Sequence, residues 1–255
     1  MSTAKSITVA RLRAAIGRIA AGGALGACET PPLGKAASRE RAWLLADGLP
    51  TGCVHEIEGA GWDAETGVAA SSFAAASLAR FSEGAILWAV RDDAPFAPRL
   101  AAFGLDLNRV IFCRCRNDAE TLAALEEALR TPGIAAAVGE VAHVTLTQSR
   151  RLHLICERAG TMGLILRRQF HGAQASRKAQ GSAAATRWRI QSAPSGTEGS
   201  WLGPPRWRLD LLYRRGGMPA SFLVEWSDEA RHLRLVAKLA DHQTEPRQSR
   251  LRRAG

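Results

Sequence analysis

A glycine-rich turn between an apolar segment and an alanine-rich segment carries the clearest chemical meaning in this chain. Residues 49–59 contain a short apolar strand ending in glycine, and a helix is predicted over Val68–Phe81. A strand, a glycine loop and a helix in this order can form a loop whose backbone N–H groups bind the phosphates of a nucleotide. Gly59, Gly61 and Gly67 are the glycines available to such a loop.

The side chains that complete a phosphate loop are missing in this interpretation. A working loop has the pattern G-x-x-x-x-G-K-[ST], in which the lysine contacts the terminal phosphates and the hydroxyl binds Mg²⁺. The stretch 59–68 has no lysine, and the carboxylates of Asp63 and Glu65 would repel a triphosphate. We also interpret the magnesium-binding hydroxyl as absent. The sequence therefore predicts a nucleotide-binding fold without ATPase activity, with weak nucleotide binding through the amides of Gly59 and Gly61 left open.

The elements that would position this loop alternate between strands and helices. After the first strand and helix, the predicted elements are strand Ala85–Val90, helix Pro95–Gly104, strand Arg109–Cys113, helix Asp118–Arg130 with Asp118 as its N-cap, strand Ile134–Val138, helix Thr145–Cys156 and strand Met162–Leu166. Such alternation predicts an α/β fold with a doubly wound, mostly parallel central sheet and helices on both faces. Ligands of such sheets bind beyond the carboxyl ends of the strands.

The ends of the chain differ from this central region. Strand-like segments at Thr186–Ile190, Arg206–Tyr213 and Ser221–Trp226, with Gly-Gly before the last of them, predict a C-terminal β-hairpin. We predict an amphipathic helix in residues 1–21, a linker over 22–40, a core over 41–242 and a basic, disordered tail over 243–255. The N-terminal helix either docks on the core, which we favour, or binds another protein.

The charge is concentrated in the second half of the chain. The formal net charge is +10, residues 1–147 hold 14 Lys/Arg against 16 Asp/Glu, and residues 148–255 hold 20 against 8. This asymmetry predicts an anionic partner such as nucleic acid, a membrane surface or an acidic protein. The alternative is an arginine-rich but merely solvated surface.

The cysteines and histidines do not form a competing catalytic or metal site. Cys113 and Cys115 share one face of a strand, where two small apolar side chains are favoured over a metal site. The six histidines show no metal-binding spacing, and Ser71-Ser72 lacks the flanking glycines of a hydrolase nucleophile. We expect no metal and no cofactor. The absence of a signal peptide and of a long apolar segment predicts a reduced, cytoplasmic protein without membrane contact.

Several segments in a fixed order resemble the ImuA family. They are LPTGCVHEIEG, AILWAV, FGLDLNRVIFCRCRNDAETLAALEEALR, LILRR and RWRLDLLYRRGG, and the resemblance covers about residues 40–240. The family consists of damage-inducible mutagenesis proteins distantly similar to the RecA recombinase core. The resemblance implies a RecA-like fold and a role in error-prone translesion DNA synthesis during the SOS response. Implied partners are an ImuB-type protein and a DnaE-type polymerase, with RecA and self-association as further alternatives.

Comparison with RecA-type ATPases identifies two acidic residues that could hold magnesium. The catalytic glutamate of such enzymes follows the second core strand, and its expected position here falls near Val90, with Asp92 as a substitute. The strand 135–138 should end in an acid that binds Mg²⁺, and Glu140 is the candidate. We favour the alternative in which Glu140 caps or solvates a strand end, so hydrolysis is not expected.

The second half of the chain supplies the candidate partner-binding residues. We hypothesise a DNA-binding face composed of Arg167, Arg168, Arg177, Lys178, Arg187 and Arg189. Tryptophans between these arginines could stack on bases or lie in the core. The tail residues Arg247, Arg250, Arg252 and Arg253 would bind a protein partner. The preferred function is a non-catalytic adaptor, and the alternatives are a nucleotide-dependent ATPase or switch and a cell-division inhibitor of the same fold.

Overall fold

The computed structural model describes residues 48–61, 63–91, 95–168, 181–195 and 203–239. The predicted N-terminal helix, the linker and the basic tail lie outside these residues, so the predicted division of the chain stays a prediction. Residue 62 and residues 92–94 are also outside the described part, as are residues 169–180. Among the described helices, none is both long and apolar enough to span a membrane.

The described core is built on one sheet of nine strands in the order β3-β2-β4-β5-β1-β6-β7-β8-β9. The strands are β1 Cys53–Gly59, β2 Ala85–Val90, β3 Val110–Arg114, β4 Ile134–Val141, β5 Met162–Arg167, β6 Thr186–Ala193, β7 Arg206–Arg214, β8 Ala220–Ser227 and β9 His232–Leu239. Pairing is parallel from β3 through β1 to β6 and antiparallel from β6 to β9. The predicted α/β class with a mostly parallel central sheet is confirmed.

Four α-helices accompany the described strands. They are α1 Asp63–Leu78, α2 Ala97–Ala102, α3 Asp118–Arg130 and α4 Leu146–Ala159, with a 3₁₀ turn at Leu107–Arg109. The start of α4 is a capping box, because the Thr145 hydroxyl accepts from the Gln148 amide and the Gln148 side chain accepts from the Thr145 amide. Its end is closed by Gly160, whose φ of 70° favours glycine.

Two apolar clusters cover the two faces of the sheet. On one face, α1 packs through Phe73 against Trp188 and Trp207, with ring centroids 5.9 and 6.5 Å apart. The many alanines of α1 allow its backbone to lie close to the sheet. On the other face, α3 and α4 contribute leucines such as Leu125 and Leu152 to a second cluster. Strand β2 is buried along its whole length because it lies between these clusters.

Some predicted boundaries differ from the observed ones. Helix α1 starts at Asp63 rather than Val68, and strand β4 continues to Val141 instead of ending at Val138. The N-cap of α3 is Asn117, whose side chain accepts from the Glu120 amide 2.9 Å away. The Asp118 carboxylate instead accepts hydrogen bonds from the backbone after β4, which ties α3 to that strand. The predicted hairpin is part of a four-stranded antiparallel region because β9 extends it.

Candidate functional site

The glycine turn joins the carboxyl end of β1 directly to α1. The strand ends at Gly59 and the helix begins at Asp63, so the connection is shorter than the loop that wraps a phosphate. Counting Gly59 as the first glycine of the phosphate-loop pattern, Glu65 occupies the lysine position and Thr66 the hydroxyl position. The interpretation that the hydroxyl is absent was therefore wrong, and in this register the missing residues are the lysine and the second glycine, whose position is taken by Ala64. The side chains of Asp63 and Glu65 lie outside the described part of the structure.

The hydroxyl of Thr66 lies directly against the glycine turn. The Gly61 N–H donates to Thr66 Oγ1 at 3.3 Å. A Cβ atom on Gly59 would lie 2.1 Å from the same oxygen, so glycine is required there by the threonine side chain. The preceding amide is also used, because the Ala60 N–H donates to the Ile190 carbonyl of β6 at 3.0 Å. The two described amides of the turn, those of Ala60 and Gly61, are thus bonded within the chain.

Glu140 is a buried strand residue bound by an indole and a guanidinium. Trp88 Nε1 donates to Glu140 Oε1 at 3.1 Å. Arg168 donates through Nε to Oε2 at 3.1 Å, and its Nη2 lies 2.9 Å from Oε1, which forms a two-point ion pair. Only 6% of the Glu140 side chain and 12% of the Arg168 side chain are exposed. Glu140 lies one residue before the end of β4, but the expectation that it is solvated there is wrong, because its side chain is buried in this ion pair.

Arg168 connects this ion pair to two further elements. Its Nη2 donates to the Ser71 hydroxyl of α1 at 3.1 Å, and its backbone N–H donates to the Val141 carbonyl at 2.9 Å. The guanidinium therefore ties β4, the end of β5 and α1 together, close to where a nucleotide-binding fold would hold magnesium. The other candidate magnesium ligand, Asp92, lies outside the described residues.

A second carboxylate cluster lies on the opposite face of the sheet. Glu56 of β1 is buried, and its Oε2 lies 3.7 Å from Arg167 Nη1 and 3.4 Å from Arg187 Nε. The hydroxyl of Ser182 donates to the other oxygen of Glu56. Neighbouring Glu58 pairs with Arg189 at 2.7 Å. These contacts arise because β1 lies between β5 and β6, which brings their arginines to its glutamates.

The predicted DNA-binding residues are thus divided between the two faces of the sheet. Arg167, Arg187 and Arg189 lie together on the side of Glu56 and Glu58, whereas Arg168 lies on the side of α1 because successive strand residues point in opposite directions. Arg177 and Lys178 lie outside the described residues, as do the tail residues Arg247, Arg250, Arg252 and Arg253. Trp188 and Trp207 are buried in the core and are not available to stack on bases.

Glu56, Glu58, Thr66, Ser71 and Trp88 were not identified from the sequence. The available signal was the pair of glutamates in the otherwise apolar segment CVHEIEG, since a carboxylate in a buried strand needs a cationic partner. The identity of that partner depends on strand order, which the sequence spacing does not encode.

His55 belongs to a buried hydrogen-bond chain at the other end of β1. Its Nε2 lies 2.8 Å from the Pro50 carbonyl oxygen and its Nδ1 lies 2.7 Å from Thr186 Oγ1, which accepts in turn from Trp188 Nε1. These contacts fit a neutral imidazole that donates through Nε2 and accepts at Nδ1. Burial away from water lowers the pKa of His55 from 6.5 to about 4. The histidine is therefore a neutral structural residue at physiological pH.

Cys113 and Cys115 form a close thiol pair next to the edge strand β3. Their sulfur atoms are 4.0 Å apart, and the hydrogen bond from Cys115 lowers the pKa of Cys113 to about 7. The same hydrogen bond, together with burial, raises the pKa of Cys115. Within the described ranges, no group of three or more His, Cys, Asp or Glu side chains could hold a metal ion.

Comparisons with known proteins identify both the fold and the family. No protein-family model matches the chain. The crystal structure of the RadB recombinase superposes with a TM-score of 0.51 at 12% identity, covering 72% of this chain and 90% of that one, which establishes a RecA-like recombinase fold. Protein ImuA of Caulobacter vibrioides (strain NA1000 / CB15N) is 44% identical over 207 residues, covering 76% of this chain and 84% of that protein. Protein ImuA of a second strain, ATCC 19089 / CIP 103742 / CB 15, matches equally. The chain belongs to the ImuA family.

Proposed function

We propose that this protein is a non-catalytic, RecA-like accessory protein of SOS-induced, error-prone translesion DNA synthesis. Its role is that of an adaptor that brings an ImuB-type protein and a DnaE-type polymerase together at damaged DNA. The RecA-like core supplies a rigid framework for partner surfaces. Membership of the ImuA family supports the connection with mutagenesis.

The non-catalytic part of the proposal is supported by hydrogen bonds and an ion pair within the chain at the place where a RecA-type ATPase would bind its nucleotide. Thr66 accepts the amide of Gly61, the Ala60 amide is bonded to β6, and Glu140 is held by Arg168 and Trp88. A nucleotide and its magnesium ion would have to break these contacts. Residues 59–68 contain no lysine or arginine. No positive side chain of this stretch would therefore stabilise a bound triphosphate enough to offset the loss of these contacts.

The first experiment measures ATP hydrolysis and Mg-ATP binding by the purified full-length chain, with and without single-stranded DNA. We expect neither turnover nor binding above the buffer control. The matched variant Glu65→Lys restores a cation at the lysine position of the pattern and should not create turnover, because the turn remains closed. DNA-stimulated turnover by the unmodified chain would instead make the protein a nucleotide-dependent ATPase or switch.

The adaptor role is tested by reconstitution with the two partners. An ImuB-type protein and a DnaE-type polymerase are mixed with and without this chain, and the complexes are separated by size-exclusion chromatography. We expect the ternary complex to require this chain and to form without nucleotide. A complex of the same stability in its absence would contradict the adaptor role.

A further inference from the structure

An apolar groove bordered by arginines runs between the end of α3 and the outer face of α4. The groove has a volume of about 320 Å³. Its lining residues are Arg130, Thr147, Arg150, Arg151, Leu154, Ile155 and Arg158. None of its residues takes part in the carboxylate clusters described above or has a role in the proposed nucleotide or DNA contacts.

Leucines and arginines alternate along the exposed side of α4. Leu146, Arg150, Leu154 and Arg158 follow each other at intervals of four residues, which places them along one line of the helix. The side chains of Leu146 and Leu154 are 52% and 43% exposed. Two large apolar side chains aligned next to a groove form a surface that gains from being covered by a partner.

The arginines of the groove differ in whether they form ion pairs with acidic side chains of the described chain. Arg151 pairs with Glu126 of α3. In the described part of the chain, no acidic side chain forms an ion pair with Arg130, Arg150 or Arg158. A partner that carries negative charge next to apolar side chains therefore fits the groove.

We propose that this groove binds an acidic amphipathic helix of a partner protein. The apolar side of that helix would contact Leu154 and Ile155, and its carboxylates would pair with Arg130, Arg150 and Arg158. The termini of this chain do not fit, because residues 1–21 contain four Lys/Arg and no Asp/Glu, and residues 243–255 contain four Arg and one Glu. A nucleic acid is disfavoured because its phosphates would leave the apolar floor uncovered. The inference deepens the proposed adaptor role and rests on it.

The test measures binding of a defined peptide to the full-length chain by fluorescence anisotropy. The probe is a labelled synthetic helix with leucines along one side and glutamates on the others. The reference peptides have the same composition in scrambled order, or lysine in place of glutamate. We expect the acidic amphipathic peptide to bind and both reference peptides to fail. Equal binding of the scrambled peptide would overturn the proposal.

Charge reversal locates the peptide on the groove. The double variant Arg150→Glu/Arg158→Glu should weaken peptide binding about tenfold or more, since two attractive pairs become repulsive. The control Arg99→Glu/Arg116→Glu makes the same charge change at an exposed arginine of α2 and at an exposed arginine just before α3, and should bind as the wild type does. Unchanged affinity in Arg150→Glu/Arg158→Glu overturns the groove assignment. The assignment is also overturned if this double variant binds single-stranded DNA more weakly but still binds the peptide as the wild type does.

A second variant tests the apolar contact without changing charge. Leu154→Ser should weaken peptide binding, whereas Met218→Ser, at a side chain 82% exposed elsewhere, should not. If Leu154→Ser binds normally, the apolar contact and the proposal are wrong. If the acidic peptide does not bind but the ternary complex forms, the groove proposal is wrong and the adaptor role stands. Absence of the ternary complex from the wild-type reconstitution removes the adaptor role itself.

Discussion

The ion pair of Glu140 and Arg168 shows how individual residues close a potential active site. A carboxylate near the ends of parallel strands could bind magnesium, but here both of its oxygens are bonded to side chains of the same protein. Burial makes this arrangement costly to open, since either charge alone would be desolvated without a partner. At this position the carboxylate therefore makes structural contacts within the chain.

We predict that breaking this pair strongly destabilises the protein. Glu140→Gln or Arg168→Met should lower the free energy of unfolding by about 3–5 kcal/mol, because each leaves its partner buried without an opposite charge. Equilibrium denaturation measures this loss, and a double-mutant cycle gives the coupling energy. The reference pair is Arg116 and Glu120, in which the arginine side chain is 76% exposed, and its removal should cost less than about 1 kcal/mol. Equal losses at both pairs would contradict a structural role specific to Glu140.

His55 gives the fold a pH dependence of predictable sign. Its pKa in the folded protein, about 4, is below the ordinary 6.5, so the unfolded chain binds more protons between these values. Its contribution to stability is complete above pH 6.5 and decreases as the pH falls towards 4. The difference amounts to about 3 kcal/mol. Denaturation at neutral pH and near pH 4 should show this loss in the wild type.

Two histidine variants separate the contribution of His55 from general acid effects. His55→Asn should remove most of the decrease between these pH values, although its stability at neutral pH is lower than that of the wild type. His232→Asn changes an exposed histidine and should retain the wild-type dependence. If His55→Asn keeps the full decrease, other groups cause it.

At the scale of elements, the sequence predicted regular segments better than their ends. Strand β2 and helix α3 have the predicted bounds, because a continuous apolar run and a leucine repeat are strong local signals. Strand β9 was missed although its sequence HLRLVAKL alternates apolar and polar residues over most of its length; it is an edge strand. The early start of α1 was missed as well, and with it the register that places Thr66 at the hydroxyl position.

The contacts of the candidate site could not be predicted from the sequence for a different reason. Glu56 meets Arg167 and Arg187 because β5 and β6 flank β1, and these residues are more than a hundred positions away from Glu56 in the chain. The glutamates of β1 indicated that cations were needed. Only the strand order identifies them, while the alternation of side chains along a strand separates Arg167 from its neighbour Arg168.

At the scale of the whole molecule, the two halves of the sheet differ in how they are covered. Helices α3 and α4 pack over β1, β4 and β5 on the side opposite α1. On the same side, the antiparallel strands carry a row of arginines paired with acids, among them Arg189, Arg208 and Arg234. Their side chains remain partly exposed, while the tryptophans of the same strands are buried on the other side. We therefore propose DNA contact on this arginine-bearing side, with Arg189 as its most testable member.

Replacing Arg189 tests this contact without breaking a deeply buried pair. Its side chain is 44% exposed and pairs with Glu58 at 2.7 Å, so Arg189→Gln should leave the fold intact. If Arg189 contacts a phosphate, the variant should bind single-stranded DNA more weakly. Log affinity decreases with log salt, and the magnitude of this slope should be smaller by about 1 in the variant. Arg116→Gln, at an arginine near the start of α3, is the matched control and should keep the wild-type slope. Arg168 is unsuitable for this purpose because its replacement would break the buried ion pair with Glu140 and destabilise the fold. An Arg189→Gln slope equal to that of the wild type would exclude a phosphate contact at this residue, and DNA would then reach the complex through another part of the chain or through a partner.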